Sequence, residues 1–196
     1  MKARPYHHGD LRATLLALAE ATLRDRGPGE LSLRELAREA GVSPAAPSRH
    51  FRTKQALLDA LALEGFDRVT TAMTKLLAET GDSFAERIGA LTRAYLTFAI
   101  ANAALLDLMF SRKHDPEASA ELVAAPRRLL TLATDILADG QRQGAVRAGE
   151  IERLAVPLFA ALQGLTGLAV SAGFTAEQID ESIADMVVFV LRGYAP

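Results

Sequence analysis

An all-α fold is predicted by three observations. Apolar residues recur at three- and four-residue spacing along nearly the whole chain. No stretch shows the apolar–polar alternation of a half-buried strand. Glycines fall between the periodic segments, at Gly27, Gly41, Gly81, Gly144, Gly149, Gly173 and Gly193. With 49% hydrophobic and 23% charged residues among 196, the chain has the composition of a folded protein, not a disordered one. It has no cysteine, which excludes a disulfide framework and a thiolate zinc site.

The first helix is predicted from an Asp10 cap to about Arg26, with Leu11, Leu15, Leu18, Ala19 and Leu23 as its buried stripe and Gly27-Pro28-Gly29 as its stop. Lys2, Arg4, His7 and His8 precede it, either as a solvated tail or as an arm for a minor groove or phosphates. The second helix opens on Ser32, with Glu35 three residues later in capping-box register and Leu31 and Leu36 spaced as a hydrophobic staple. Leu33, Leu36, Ala37 and Ala40 give it one apolar face, and Gly41 suits a left-handed stop. Val42 plugs the corner, and Ser43-Pro44 restarts a short helix as cap and first-turn proline. Two short helices joined by a tight glycine turn make a helix-turn-helix. Thr53 then caps a long helix from Lys54 to about Leu77, buried through Leu57, Leu58, Leu61, Phe66 and Met73.

Residues 33–57, with AREAGVS, Arg49-His50-Phe51 and Lys54-x-x-Leu57, resemble the DNA-binding domain of tetracycline-repressor-type (TetR) regulators. Two positions depart from that pattern. An apolar residue and then a tyrosine are usual in the recognition helix, where this chain has Pro47 and Ser48. Pro47 removes an early helical N–H and biases Ala46 away from helical geometry, so a distorted or late-starting recognition helix is expected. The resemblance implies an all-α protein in which a three-helix DNA-binding domain over residues 1–53 is joined by a long helix to a helical effector-binding and dimerisation domain over 54–196. It also implies double-stranded DNA as a partner. Arg34, Thr53 and Lys54 would hold phosphates, and Ser43, Ala45, Ala46, Ser48, Arg49 and His50 would lie where base or phosphate contacts occur. Charge is distributed as this requires: residues 1–55 hold 10 Lys/Arg against 6 Asp/Glu, and residues 56–196 hold 12 against 18.

Beyond the long helix, Gly81-Asp82-Ser83 marks a break and Phe84 opens a helix to about Asn102. Residues 94–106 carry no charge and are expected to be buried nearly all round. A short helix over 103–110, an exposed loop at Arg112-Lys113-His114-Asp115-Pro116 and a single helix from about Ala118 to Gln143 follow. Helices over 150–171 and 175–191 complete the set. Residues 154–176 are uncharged over a length that could span a bilayer, but Pro157, Gln163, Thr166, Ser171 and several glycines interrupt them. Ala160, Ala161, Gly164 and Gly167 would let another helix approach closely, so a buried subunit interface is the preferred reading. With the apolar stripe Ile179, Ile183, Met186, Val187, Val190 and Leu191, it predicts a two-fold, four-helix homodimer contact. The segment Phe159-Ala-Ala-Leu-Gln163-Gly164 is similar to the Trp-x-x-x-His-Gly signature of the family branch with a WHG-type C-terminal domain. Tyr95 to Phe98 and Leu106-x-x-Met109-Phe110 also suit that branch.

The resemblance further implies an effector cavity in the body. Its candidate lining is Phe66, Met73, Tyr95, Phe98, Asn102, Met109, Phe110, Thr134, Phe159 and Gln163, with plain core packing as the alternative use of these side chains. A small apolar or weakly polar effector is expected, because the central helix carries no charge. An enzyme is the competing class. The histidines at 7, 8, 50 and 114 have no metal-ligand spacing, and no nucleophile elbow, phosphate loop or dinucleotide fingerprint occurs. No catalytic residue, metal or cofactor is assigned. The expectation is a cytoplasmic, ligand-responsive, homodimeric regulator of transcription, most readily a repressor of a palindromic operator, with an activator or a ligand-independent regulator as the alternative.

Overall fold

A computed structural model describes residues 11–196. The predicted Asp10 cap and the basic residues Lys2, Arg4, His7 and His8 lie outside the described residues. The described residues form only helices and turns: α1 (Leu11–Arg26), α2 (Leu33–Glu39), α3 (Lys54–Ala78), α4 (Phe84–Ala101), α5 (Ala103–Arg112), α6 (Ala120–Ala124), α7 (Pro126–Arg142), α8 (Ile151–Ala172) and α9 (Ala176–Tyr194). Short 3-10 turns occupy Pro28–Glu30 and Pro47–Arg49. The all-α class is as predicted.

The chain divides into two compact units. One holds the residues up to Gly65 together with Ala104–Ala124, and the other Phe66–Ala103 with Ala125–Pro196. In the first unit Leu15, Leu16, Ala19 and Leu23 of α1 are buried, as are Leu36 and Ala37 of α2 and Leu57 and Leu61 of α3. Gly65 of α3 is a close-approach position, since a Cβ there would lie 2.5 Å from Met109 Sδ on α5. In the second unit α4 packs on α7, α8 and α9. Leu96, Ala169 and Ile183 form one core cluster there, flanked by Ile100, Leu165, Phe174 and Ile179. Gly140 of α7 admits Phe84 and Val146, each within 2.8 Å of where its Cβ would stand.

Four local expectations are corrected. Ser32 sits in N-cap geometry, but its side chain makes no cap hydrogen bond, so the Ser32/Glu35 box does not form. Ser83 and Thr175 build capping boxes instead, with Glu86 and Gln178. The helix read across 118–143 is broken at Ala125, because Pro126 cannot donate to a preceding turn and starts α7 afresh. Gly193 does not end the last helix. Tyr194 continues it, is buried, and donates through Oη to the Leu154 carbonyl at 2.5 Å while its own carbonyl accepts from Arg147 N at 2.7 Å.

The fourth correction concerns Arg112, read as loop and exposed. It ends α5 and is 7% exposed. Its Nε and Nη2 donate to Asp59 Oδ1 at 2.9 and 2.6 Å, and its Nη1 to Asp115 Oδ2 at 2.5 Å. Asp59 Oδ2 accepts from Ser119 N, and Ser119 Oγ caps α6 by accepting from Leu122 N. One buried ion pair thereby ties α3 to α5 and to the turn before α6.

Candidate nucleic-acid interface

α2 ends in a Schellman motif. Gly41 has φ +68°, its N–H meets the Arg38 carbonyl at 3.2 Å, and Val42 N–H meets the Ala37 carbonyl at 3.0 Å. The predicted left-handed stop is therefore present, and Val42 is half-buried at the corner. The following segment is not an α-helix. Ser43 turns through Ala46, and a single 3-10 turn at Pro47–Arg49 takes the place of the recognition helix. Pro47 is buried and has no N–H to give the ladder, which accounts for the collapse to one tight turn. The expected bias on Ala46 is overturned: Ala46 keeps right-handed helical angles, φ −63° and ψ −42°. Ser48 Oγ donates to the Ala45 carbonyl at 2.7 Å and so closes the turn internally.

Ser43, Ala45, Ser48, Arg49 and His50 are exposed along this segment, and Ala46 is half-buried. Phe51 is buried beneath it, with the Arg12 guanidinium 5.7 Å from its ring centre. Thr53 Oγ1 accepts from Ala56 N at 3.0 Å and caps α3, as predicted. Lys54 begins that helix, and its ammonium donates to the Gly29 carbonyl at 2.7 Å. Arg34 and Arg38 lie one turn apart on α2 and are exposed; with Glu35, Val42 and Pro44 they rim a shallow basin of about 380 Å³. This end of the first unit presents a cationic, largely uncovered face around a tight turn, with the N-terminus of α3 at Lys54 beside it. Such a face can hold a polyanion backbone.

Of the candidate effector residues, Phe66, Met73, Tyr95, Phe98, Asn102, Thr134, Phe159 and Gln163 lie in the second unit. Met109 and Phe110 lie on α5 in the first. Phe66, Met73, Tyr95, Phe98 and Met109 are buried. Phe110, Asn102, Thr134 and Phe159 are half-buried, and Phe110 lies under the Lys113 ammonium at 4.3 Å. The structure brings two of the polar candidates together, for Tyr95 Oη donates to Gln163 Oε1 between α4 and α8. Asn102 accepts from Arg68 Nη2 at 2.6 Å, and that guanidinium also stands 5.8 Å over the Phe98 ring. Arg68 was not foreseen. Thr134 Oγ1 bonds only within its own helix, to the Thr131 carbonyl.

Burial pushes the Tyr95 hydroxyl well above the ordinary tyrosine value, which keeps it a hydrogen-bond donor. The neutral hydroxyl thus contributes stability that is complete below about pH 10. That contribution is lost as pH rises further, because the unfolded chain releases a proton that the folded chain keeps. Melting temperatures measured from about pH 9 to 11 should fall less steeply for Tyr95→Phe than for the unaltered protein. Equal slopes would contradict this.

Comparisons with known proteins agree with this geometry. Residues 15–61 match the family described as "Bacterial regulatory proteins, tetR family", and residues 88–190 match "Tetracyclin repressor-like, C-terminal domain". No curated sequence matches the chain. A protein of unknown function from Rhodococcus sp. RHA1 is 43% identical over 99% of this chain and 100% of its own, with a TM-score of 0.90. A bacterial regulatory protein in the tetR family from Rhodococcus RHA1 is 25% identical over 95% and 97%, with a TM-score of 0.74. FadR from Bacillus subtilis, solved in complex with stearoyl-CoA, shares the fold at 13% identity over 92% and 98%, with a TM-score of 0.76. Together with the turn at Gly41 and the helix begun by Thr53 and Lys54, these matches identify the chain as a member of the TetR family of transcriptional regulators, which are DNA-binding proteins and not enzymes.

Proposed function

We propose that the protein is a cytoplasmic, homodimeric repressor that releases a palindromic operator when a small, mainly apolar molecule binds its helical body. The observation that carries the dimer is an apolar face left unburied in the protomer. Val156 and Leu168 on α8 are 66% and 60% exposed, and Phe189 on α9 is 63% exposed. Gly164 and Gly167 add a smooth strip where a Cβ would meet nothing within 4 Å. Soluble single chains rarely leave such a face uncovered. α8 is also long and apolar enough to cross a membrane, but its outward side has the small residues of a helix–helix contact. Two copies joined through α8 and α9 would present paired turns to half-sites one DNA turn apart.

On DNA, Arg34, Thr53 and Lys54 hold phosphates, with Lys54 exchanging the Gly29 carbonyl for a phosphate oxygen. Ser43, Ala45, Ala46, Ser48, Arg49 and His50 face the groove. Arg49 is the long donor of the turn, suited to a bidentate contact with guanine, and an alanine can meet a thymine methyl. Arg49→Ala should weaken operator binding by about 1–3 kcal/mol and relax preference at one position. Selection from randomised duplexes checks this, and an unchanged profile rejects the assignment. A gel-shift titration at two salt concentrations tests the wider reading, because phosphate contacts make affinity fall steeply with salt.

The effector reading draws support from FadR, in which the same fold holds stearoyl-CoA. Within the second unit Phe66, Met73, Phe98 and Phe159 supply apolar wall, and Tyr95, Asn102, Thr134 and Gln163 the placed polar groups. A ligand that prefers one spacing of the two heads shifts the equilibrium through α3, which begins at Lys54 and continues into the body. The Phe159–Gly164 segment, similar to the Trp-x-x-x-His-Gly signature, supports a body of the WHG-type branch.

A further inference from the structure

The facing sides of α4 and α8 carry more polar groups than a plain apolar core needs. Residues 94–101 and 154–172 contain no Asp, Glu, Lys or Arg. Yet Tyr95 and Gln163 bond across the two helices. Thr92 lies one turn before Tyr95 on α4, and Thr166 one turn beyond Gln163 on α8, so each shares a face with its bonded neighbour. Thr92 is 0% and Thr166 3% exposed, and neither hydroxyl has a hydrogen-bond partner. A buried hydroxyl without a partner is destabilising, and valine would fill the same space without that cost. Two such hydroxyls flanking the Tyr95–Gln163 bond therefore point to a further bonding group.

We propose that this seam is the polar anchor of the effector site, and that it takes a neutral oxygen (an alcohol or ketone on an otherwise apolar molecule) in preference to a carboxylate. The proposal rests on the effector reading above. Threonine hydroxyls donate and accept, so they satisfy either neutral group. Gln163 itself is exposed, but a carboxylate bonded to the buried Thr92 and Thr166 hydroxyls would lie away from water with no compensating cation on these stretches. The cations near α4 are engaged elsewhere. Arg68 is on Asn102 and Phe98 and Arg93 is bonded to Asp180 at 2.5 Å, while Arg87, more than a turn before Thr92, stands 4.0 Å from Asp82 and keeps a buried Nε without a partner.

Displacement of the neutral fluorophore N-phenyl-1-naphthylamine from the full-length protein tests this. 1-Decanol should displace the dye at lower concentration than sodium decanoate at neutral pH. Thr92→Val and Thr166→Val should each melt no lower than the unaltered protein and, relative to the dye's affinity for the same variant, weaken displacement by decanol about fivefold. Unchanged decanol potency in both variants would overturn the anchor while leaving the effector site standing, and so would failure of both compounds to displace a bound dye. Preference for decanoate that disappears in Arg68→Met would assign an anion site at Arg68 and overturn the proposal likewise. Failure of the dye to bind at all would remove the effector reading and the anchor with it.

Discussion

Asp59→Ala should lower the unfolding free energy by about 3–5 kcal/mol, the cost of breaking a buried ion pair and leaving Arg112 only the partly exposed Asp115. Arg112 would lose both bonds to Asp59 Oδ1, and Ser119 N its acceptor. Both side chains of the pair are at most 10% exposed, so water cannot replace what is lost. The double variant Asp59→Leu/Arg112→Met should recover most of the stability, because a well-packed apolar pair of similar volume often matches a buried ion pair. Urea unfolding at one fixed protein concentration measures both effects. A single variant within about 1 kcal/mol of the unaltered protein would mean that the pair does not hold α3 to α5 and the turn before α6.

Gly164→Arg should convert the protein to monomers and weaken binding to a two-half-site operator by about 100-fold or more, the scale of lost avidity. The substitution is sterically free within one protomer, where a Cβ at Gly164 meets nothing within 4 Å. Arginine also has the better helix propensity, by roughly 0.7–1 kcal/mol, so α8 itself should not suffer. A charged side chain on the uncharged strip would nevertheless have to be buried against a second copy. Sedimentation velocity and a gel shift on a full operator read the result. A variant that remains dimeric would remove α8 as the contact and with it the four-helix arrangement.

Helices with a strong local signal were legible residue by residue. α1 ends at Arg26 as the glycines require, α3 opens at Lys54 under a Thr53 cap, and Gly41 takes the left-handed angle that its neighbours imply. Pro47 marked the segment after Gly41 as irregular, but as a distorted or late-starting helix and not as the single 3-10 turn that forms. The misreadings arose where local pattern competes with packing. Ser32 and Glu35 have capping-box spacing but not the bond, because spacing does not orient a side chain. Arg112 sits in a polar run that reads as loop, and its burial depends on Asp59, 53 residues earlier. A clue was present in Asp59 itself, a carboxylate among the buried positions Leu57, Leu58 and Leu61. Arg68 and the unpartnered Thr92 and Thr166 carried no comparable signal.

By itself the sequence determined the helical class, the glycine-turn head and the uncharged run of α8, since periodicity, left-handed stops and charge are properties of neighbouring residues. Only the tertiary structure decided that Arg112 closes on Asp59, that Tyr95 meets Gln163, and that Val156, Leu168 and Phe189 stay outside the protomer. Those outcomes depend on which faces of distant helices meet. That choice pairs most buried polar groups across distant segments and leaves little mark in any one of them.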